Sequence, residues 1–290
     1  REAFETFAVA VDTGEDASEF RGETAVAGEA FAAFRPASVM PQPTALKQLA
    51  CHFKDPAVGL VDGYIQPTGM QQAGISRAEN RYISGEALLK HREGKAWGCM
   101  MGPFGGFYAL RADYFSEVPA NFLVDDFYIC MRTFEHGGRA ISDLQAISRE
   151  AVSHEVGEEF RRKARISAGN FQNLSRFRNL WWPPVGPLRF AFFSHKALRW
   201  LGPFFLLLML LSSGLLALGG NLIGQGLFGL MTAGMLLVPL ADEGLRRLRI
   251  HWLPLRGARY FLAMNLALLS GFFKFVKGVR SNVWQPTKRN

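Results

Sequence analysis

Residues 201–218 and 222–240 are two apolar runs without a single Asp, Glu, Lys or Arg, and only Gly219-Gly220-Asn221 separates them. Each run is close to the length an α-helix needs to cross a hydrocarbon layer about 30 Å thick. In a chain of 290 residues, two adjacent uncharged runs read as a membrane hairpin, in preference to buried core helices of a soluble protein. The loop expected at 242–259 carries Arg246, Arg247, Arg249, Arg256 and Arg259, which places it and the polar first two thirds of the chain on the cytoplasmic side. Residues 260–273 form a third apolar run, shorter than an ordinary span, followed by a basic tail. A third crossing would put that tail outside, against the charge rule, so two crossings with a re-entrant segment and three crossings both stay open.

The net charge of +8 gathers beside these runs, where Lys and Arg meet anionic lipid. No long basic stripe with interleaved aromatics suggests nucleic acid. Cys51, Cys99 and Cys130 are odd in number and widely spaced, which fits a reducing compartment better than a disulfide framework. The six histidines show no metal-ligand spacing. The chain starts at Arg1 without a leader pattern, in what reads as the middle of a domain, and so as a fragment.

Upstream, strands and helices alternate. Residues 7–11 and 30–34 read as strands, with Asp12-Thr13-Gly14-Glu15-Asp16 as the loop after the first. A helix is expected over 44–53 with Thr44 as its N-cap. A strand over 58–61 is closed by Asp62-Gly63. A helix over 76–93 opens on a capping box of Ser76 and Glu79. A glycine-rich loop over 98–111 runs into a short strand, a helix over 125–136 starts on two acids and ends at Gly137-Gly138, and 139–142 is a further strand. Such alternation predicts an α/β domain with a mostly parallel sheet. Residues 158–177 form a basic amphipathic helix broken by Trp181-Trp182-Pro183-Pro184. Residues 190–200 have the Phe, Trp, Lys and Arg content of a helix lying on headgroups.

Three groups can carry chemistry. Asp125 and Asp126 at a helix start either cap it and favour its dipole or, beside Phe122, Leu123 and Phe127, supply a general base with a raised pKa. Arg161, Arg162, Lys163 and Arg165 span little more than a helical turn. Arg162 and Arg165 share a face, which suits a diphosphate as well as lipid headgroups. Gly105-Gly106-Phe107-Tyr108 lacks P-loop and dinucleotide spacing, but its glycines allow a ligand close to the backbone, as a simple turn would also require.

In this order the blocks resemble a membrane-bound family 2 glycosyltransferase of the cellulose synthase and hyaluronan synthase type, over about residues 43–284. The likeness includes Ala45-Leu46 with His52-Phe53-Lys54-Asp55-Pro56-Ala57-Val58-Gly59, then Glu79, Tyr82 and Glu86, then Gly105-Gly106-Phe107-Tyr108-Ala109. It continues through Asp125-Asp126, through residues 161–166 with Gly169 and Gln172, and from Phe272-Phe273 to Trp284. The resemblance implies a GT-A fold and an inverting transfer from a UDP- or GDP-sugar to a glycan or lipid acceptor. Asp126 would be the catalytic base and Asp125 its acidic neighbour. Arg162, Arg165, Gly105, Gly106, Tyr108 and Asp12 would bind donor and acceptor. The site would face the cytosol at a bacterial-type inner membrane.

The resemblance also implies Mg²⁺ or Mn²⁺ under the diphosphate, yet this sequence has Pro36 and Ser38 where the metal-binding Asp-x-Asp is expected, so the metal ligands are not identifiable. Arg162 stands in place of the Gln, and Ile166 of the Trp, in the Gln-x-x-Arg-Trp motif. The expected organisation is a cytosolic domain over 1–180 with a degenerate 1–40, an interfacial segment over 181–200, a membrane region over 201–276 and a basic tail over 277–290. A membrane-anchored homologue without catalysis, serving as a binding or scaffold subunit, is the second reading. A small transporter is the weakest, since no charge lies inside the apolar runs.

Overall fold

The computed structural model describes residues 24–26, 29–34, 39–68, 76–151, 156–248, 250 and 252–279. The expected strand at 7–11, Asp12, Pro36 and Ser38 lie outside them, as do the side chains of Ser76, Glu79 and Tyr82. Six strands form one sheet: β1 (Thr24–Val26), β2 (Glu29–Phe34), β3 (Val39–Pro41), β4 (Val58–Thr68), β5 (Tyr108–Arg111) and β6 (Arg139–Ala151), in the order β1-β2-β5-β4-β6-β3.

The α/β domain is as expected, but its sheet is mixed rather than mostly parallel. Among the described strands only β4 and β6 run parallel; the other four pairings are antiparallel. The cause lies in the loop between α2 (Ser76–Trp97) and β5. The helix does return the chain for a parallel contact, Cys99 beside Ala140. Gly102 and Gly105, both at positive φ (75° and 76°), then turn the backbone round, so β5 enters antiparallel to β4. Two strands are also longer than the sequence suggests. Asp62-Gly63 does not end β4 but marks a bulge against β6, between the pairs Asp62–Ser142 and Tyr64–Ile147. A Cβ at Gly63 would fall 2.7 Å from the Phe107 ring, so glycine there lets the two backbones close up.

Side chains alternate between two cores, as strand geometry dictates. Val58, Val61, Phe107 and Ala109 pack under α1 (Ala45–Cys51). Leu60, Tyr108 and Leu110 face Cys99–Met101, α3 (Asp125–Glu135) and the aromatic residues beyond α4 (Val156–Arg176). Thr44 does sit at the N-cap of α1, although its side chain makes no cap bond.

Beyond α4 come three short helical pieces, α5 (Arg178–Trp181), α6 (Pro187–Ala191) and α7 (Leu198–Trp200), with a π-helical turn, Phe192–Ala197, between the last two. The segment is not simply laid on headgroups. Phe192, His195, Lys196, Ala197 and Trp200 are buried in the domain, while Phe190 and Leu198 are exposed. The chain then enters α8 (Gly202–Leu218), α9 (Leu222–Arg247) and α10 (Leu253–Val276). Helices α9 and α10 are long and apolar enough to cross a membrane, and α6–α8 form a bent pair, angled by 57°, that passes the same test together.

Two expectations change here. The stretch 242–259 is mostly helical, being the end of α9 and the start of α10, where Asp242 pairs with Arg259 at 2.9 Å. The third apolar run lengthens to the 24 residues of α10, because the polar residues that bounded it in the sequence still take helical conformation. Exposed Leu208, Leu211, Leu215, Leu222, Ile223, Leu230 and Leu236 give α8 and α9 the lipid-compatible surface that a water-exposed monomer avoids.

Candidate active site

Asp125 and Asp126 open α3, where four backbone N–H groups lack helical partners and the dipole favours negative charge. Asp125 Oδ1 accepts the Asp126 N–H at 3.0 Å, and Asp126 Oδ1 accepts the Phe127 N–H at 2.7 Å. Capping is therefore one of their roles. It does not account for the charge of Asp126. Desolvation raises its pKa well above the usual carboxylate range, and Asp125 raises it further, while the Phe127 amide only partly offsets them.

The loop before α3 is held from α4. Gln172 Oε1 accepts the Leu123 N–H at 3.1 Å, its Nε2 donates to the Asn121 carbonyl at 2.7 Å, and Asn173 Nδ2 donates to the Val124 carbonyl at 3.2 Å. A Cβ at Gly169 would lie 2.5 Å from Val124, so α4 and this loop approach as closely as backbones allow. The same helix brings Arg165, half-buried, close enough to feel the charge of Asp125. Arg162, also half-buried, lies one turn earlier on that helix.

The glycine-rich loop forms the opposite wall. A Cβ at Gly105 would fall 2.4 Å from Asp126 Oδ2; the bare backbone of Gly105 thus sits against the carboxylate. Gly106 does not share this place: a Cβ there would strike Ile65 and touch Val39 of the other core, so its glycine serves packing. Tyr108 is buried, and desolvation, Asp125 and Asp126 together hold its phenol protonated well above the ordinary range. Of the residues expected at the site, the structure thus gathers Asp125, Asp126, Arg165, Gly105 and Tyr108, with Arg162 one turn away.

Sequence reasoning did not find Asp62 and Lys90. Both are 2% exposed and pair at 3.3 Å. Asp62 Oδ1 accepts the Phe104 N–H at 3.4 Å, and the Lys90 ammonium lies 3.5 Å from the centroid of the Phe104 ring. Burial pushes the Asp62 carboxyl up to about 6 against the opposing pull of Lys90. Glu86, named only as part of the family likeness, and Glu93 share a helical face with Lys90; their pairing with His195, Lys196 and Arg199 was not foreseen. The available signal was the spacing of Glu86, Lys90 and Glu93 at i, i+4 and i+7 on α2.

Among the described residues, no group of three His, Cys, Asp or Glu side chains could hold a metal ion. Asp62, which touches the loop, is already engaged by Lys90 and an amide. The described residues therefore do not fit the expected Mg²⁺ or Mn²⁺.

The model of the family described as Glycosyl transferase family group 2 matches residues 38–275. Among solved structures, the chain is similar to the mannosyltransferase PcManGT from Pyrobaculum calidifontis in complex with GDP-Man and Mn²⁺. The identity is 19% and the TM-score 0.59, over 85% of this chain and 62% of that one. At that identity the likeness is one of fold, and this chain corresponds to 62% of the neighbour's length. No curated protein sequence matches the chain.

Proposed function

We propose, for a chain that belongs to glycosyl transferase family group 2, that it moves a sugar from a UDP- or GDP-sugar to a glycan or lipid hydroxyl at the cytoplasmic face of an inner membrane, with inversion at the anomeric carbon. The observation that carries this reading is the Asp126 carboxylate: desolvated, raised in pKa, set against the bare backbone of Gly105, and near a cationic helix. A base works best when its pKa lies near the working pH, and the environment of Asp126 moves it in that direction.

In this mechanism an acceptor hydroxyl hydrogen-bonds to the Asp126 carboxylate, which the Gly105 backbone buttresses from its other side. Its proton passes to Asp126 as the oxygen bonds to the anomeric carbon from one side. The bond from that carbon to the diphosphate oxygen breaks on the other side, and the nucleoside diphosphate leaves with the electron pair. Arg162 and Arg165 receive the developing negative charge through forked donors. Asp125 keeps Asp126 protonatable by repulsion and holds Arg165 toward the cleft by attraction. The fluid side of the site is the bilayer: the exposed apolar flanks of α8 and α9 anchor the domain so that the basic helix α4 lies near headgroup phosphates.

The test is nucleotide release by membranes carrying the chain, offered a panel of UDP- and GDP-sugars with GDP-mannose included, with and without Mg²⁺ or Mn²⁺. Release that disappears in Asp126→Asn and survives in the parent supports transfer. No turnover with any donor, and no thermal shift with UDP or GDP, turns the assignment to the non-catalytic, membrane-anchored scaffold.

A further inference from the structure

A second group of buried charges lies where the chain leaves the domain for the membrane. His195 Nδ1 is 2.7 Å from Glu93 Oε1, and the two side chains are 4% and 5% exposed. The Lys196 ammonium reaches Glu86 Oε1 at 2.6 Å and Arg199 Nη1 reaches Glu86 Oε2 at 2.7 Å. His195 Nε2 also faces Glu86 Oε1 at 3.0 Å, off the line of a good hydrogen bond. The basic side chains all belong to the run from the π-helical turn Phe192–Ala197 to α7, and both acids belong to α2.

The acids continue toward the site. Glu93 Oε2 accepts the Met101 N–H at 3.2 Å, so one carboxylate holds His195 with one oxygen and the glycine-rich loop with the other. Met101 immediately precedes Gly102, which turns the loop, and Gly105 then abuts Asp126. A π-helical turn shifts the facing of side chains relative to a regular helix and is common where function fixes their placement. Here it coincides with the two consecutive residues, His195 and Lys196, that turn inward together.

We infer that His195 is a positioning residue for the glycine-rich wall of the Asp126 site, acting through Glu93, so that the seating of the membrane-entry segment sets the geometry of that wall. Its catalytic consequence rests on the transferase reading; the mechanical link does not. An apolar contact of the same volume would anchor the segment without fixing an amide. The His195–Glu93–Met101 chain fixes direction as well as distance, because both ends are directional hydrogen bonds.

The experiment is amide hydrogen exchange on the ligand-free full chain in lipid nanodiscs, with thermal unfolding alongside. His195→Leu removes the donor, whereas His195→Asn keeps an N–H near the position of Nδ1. We expect exchange at Met101, Gly102 and Phe104 to rise roughly tenfold in the Leu variant, the factor that loss of one hydrogen bond gives. Exchange in β4 and β6 should stay as in the parent, and the Asn variant should restore protection of the loop. If the Leu variant does not fold, Glu93→Ala against Glu93→Gln makes the same comparison. Coupling is reciprocal, so Glu93→Ala must then loosen residues 192–199 as well as the loop. Unchanged loop exchange in a folded His195→Leu, or an Asn variant as fast as the Leu variant, overturns the inference. In the nucleotide-release assay, His195→Leu lowers kcat with the donor KM unchanged. Failure of that arm alone, with the exchange result intact, counts against the transferase reading and not against the link.

Discussion

Two sets of desolvated acids flank the glycine-rich loop, and the fold treats them in opposite ways. On the membrane-entry side, Glu86 is surrounded by Lys196, His195 and Arg199, and these partners overcome desolvation to hold its carboxyl far below the usual range. On the sheet side, Asp62 has a single cation for a partner and rises to about 6, and Asp126 has another acid for a neighbour and rises as well. Desolvation opposes the charge of all three, yet Glu86 is held as a fixed anion while Asp62 and Asp126 are raised. The difference lies in how many cations the neighbouring elements supply, and such raised carboxyls are a recurrent mark of functional sites.

Asp126→Asn puts this contrast under the greatest strain. Loss of a general base should reduce turnover by about 10²–10⁴-fold, read as nucleotide release. The same substitution should raise Tm at pH 8. A carboxyl whose folded pKa exceeds its unfolded value binds its proton more tightly in the folded state, so its ionised form opposes folding above that value. The Tm advantage should shrink as pH falls below about 7 and vanish only below the unfolded carboxyl value of 3.8. Glu86→Leu should do the reverse, costing about 3–5 kcal/mol of stability in denaturant melts because it strands Lys196. The sign of its pH dependence is opposite too: the depressed Glu86 contributes stability above the unfolded carboxylate value and loses it as pH falls, so the gap between parent and variant narrows in acid.

Gly105→Ala probes the geometry of the poised set. Its φ of 76° disfavours any side chain and its Cβ would displace Asp126 Oδ2. A cost of about 1–2 kcal/mol in stability is expected from the backbone alone, with a fall in kcat measurable in the same assay. At the small end, Leu88→Gln on the outer face of α2 should change stability by less than about 0.5 kcal/mol, although it replaces an apolar residue on the helix whose charges carry the satisfied set.

That last prediction shows where the sequence could be read and where it could not. The acid start of α3, its glycine stop, the basic amphipathic α4 and the apolar hairpin come from local spacing, and the structure has them close to where spacing places them. Helix α2 defeats the same logic. Glu86, Lys90 and Glu93 look like a solvated face, but they are buried, and Leu88, Leu89 and Trp97 are the exposed ones. The helix is inverted by a set of hydrogen-bonding basic side chains a hundred-odd positions onward, His195, Lys196 and Arg199, in a stretch whose composition reads as headgroup contact. Asp62 was hidden for a related reason: Asp-Gly is a turn signal in isolation, and only the crossing of β6 keeps the strand going past it. The family resemblance named Asp125, Asp126, Arg165 and Gly106 together, but gave no warning that Gly106 faces the opposite core.

One close contact, that of Gly169 with Val124, has a counterpart on the other side of α4. At Gly271 of α10 an added methyl would lie 2.3 Å from the Ser167 Cβ and 2.8 Å from the Ala164 carbonyl oxygen. The basic helix is thereby clasped between two hydrogen atoms where other residues carry carbon. A mutational scan of α10 by lipophilicity would find most positions permissive and this one barren, and the lesion would surface as a displaced α4 rather than as failed insertion.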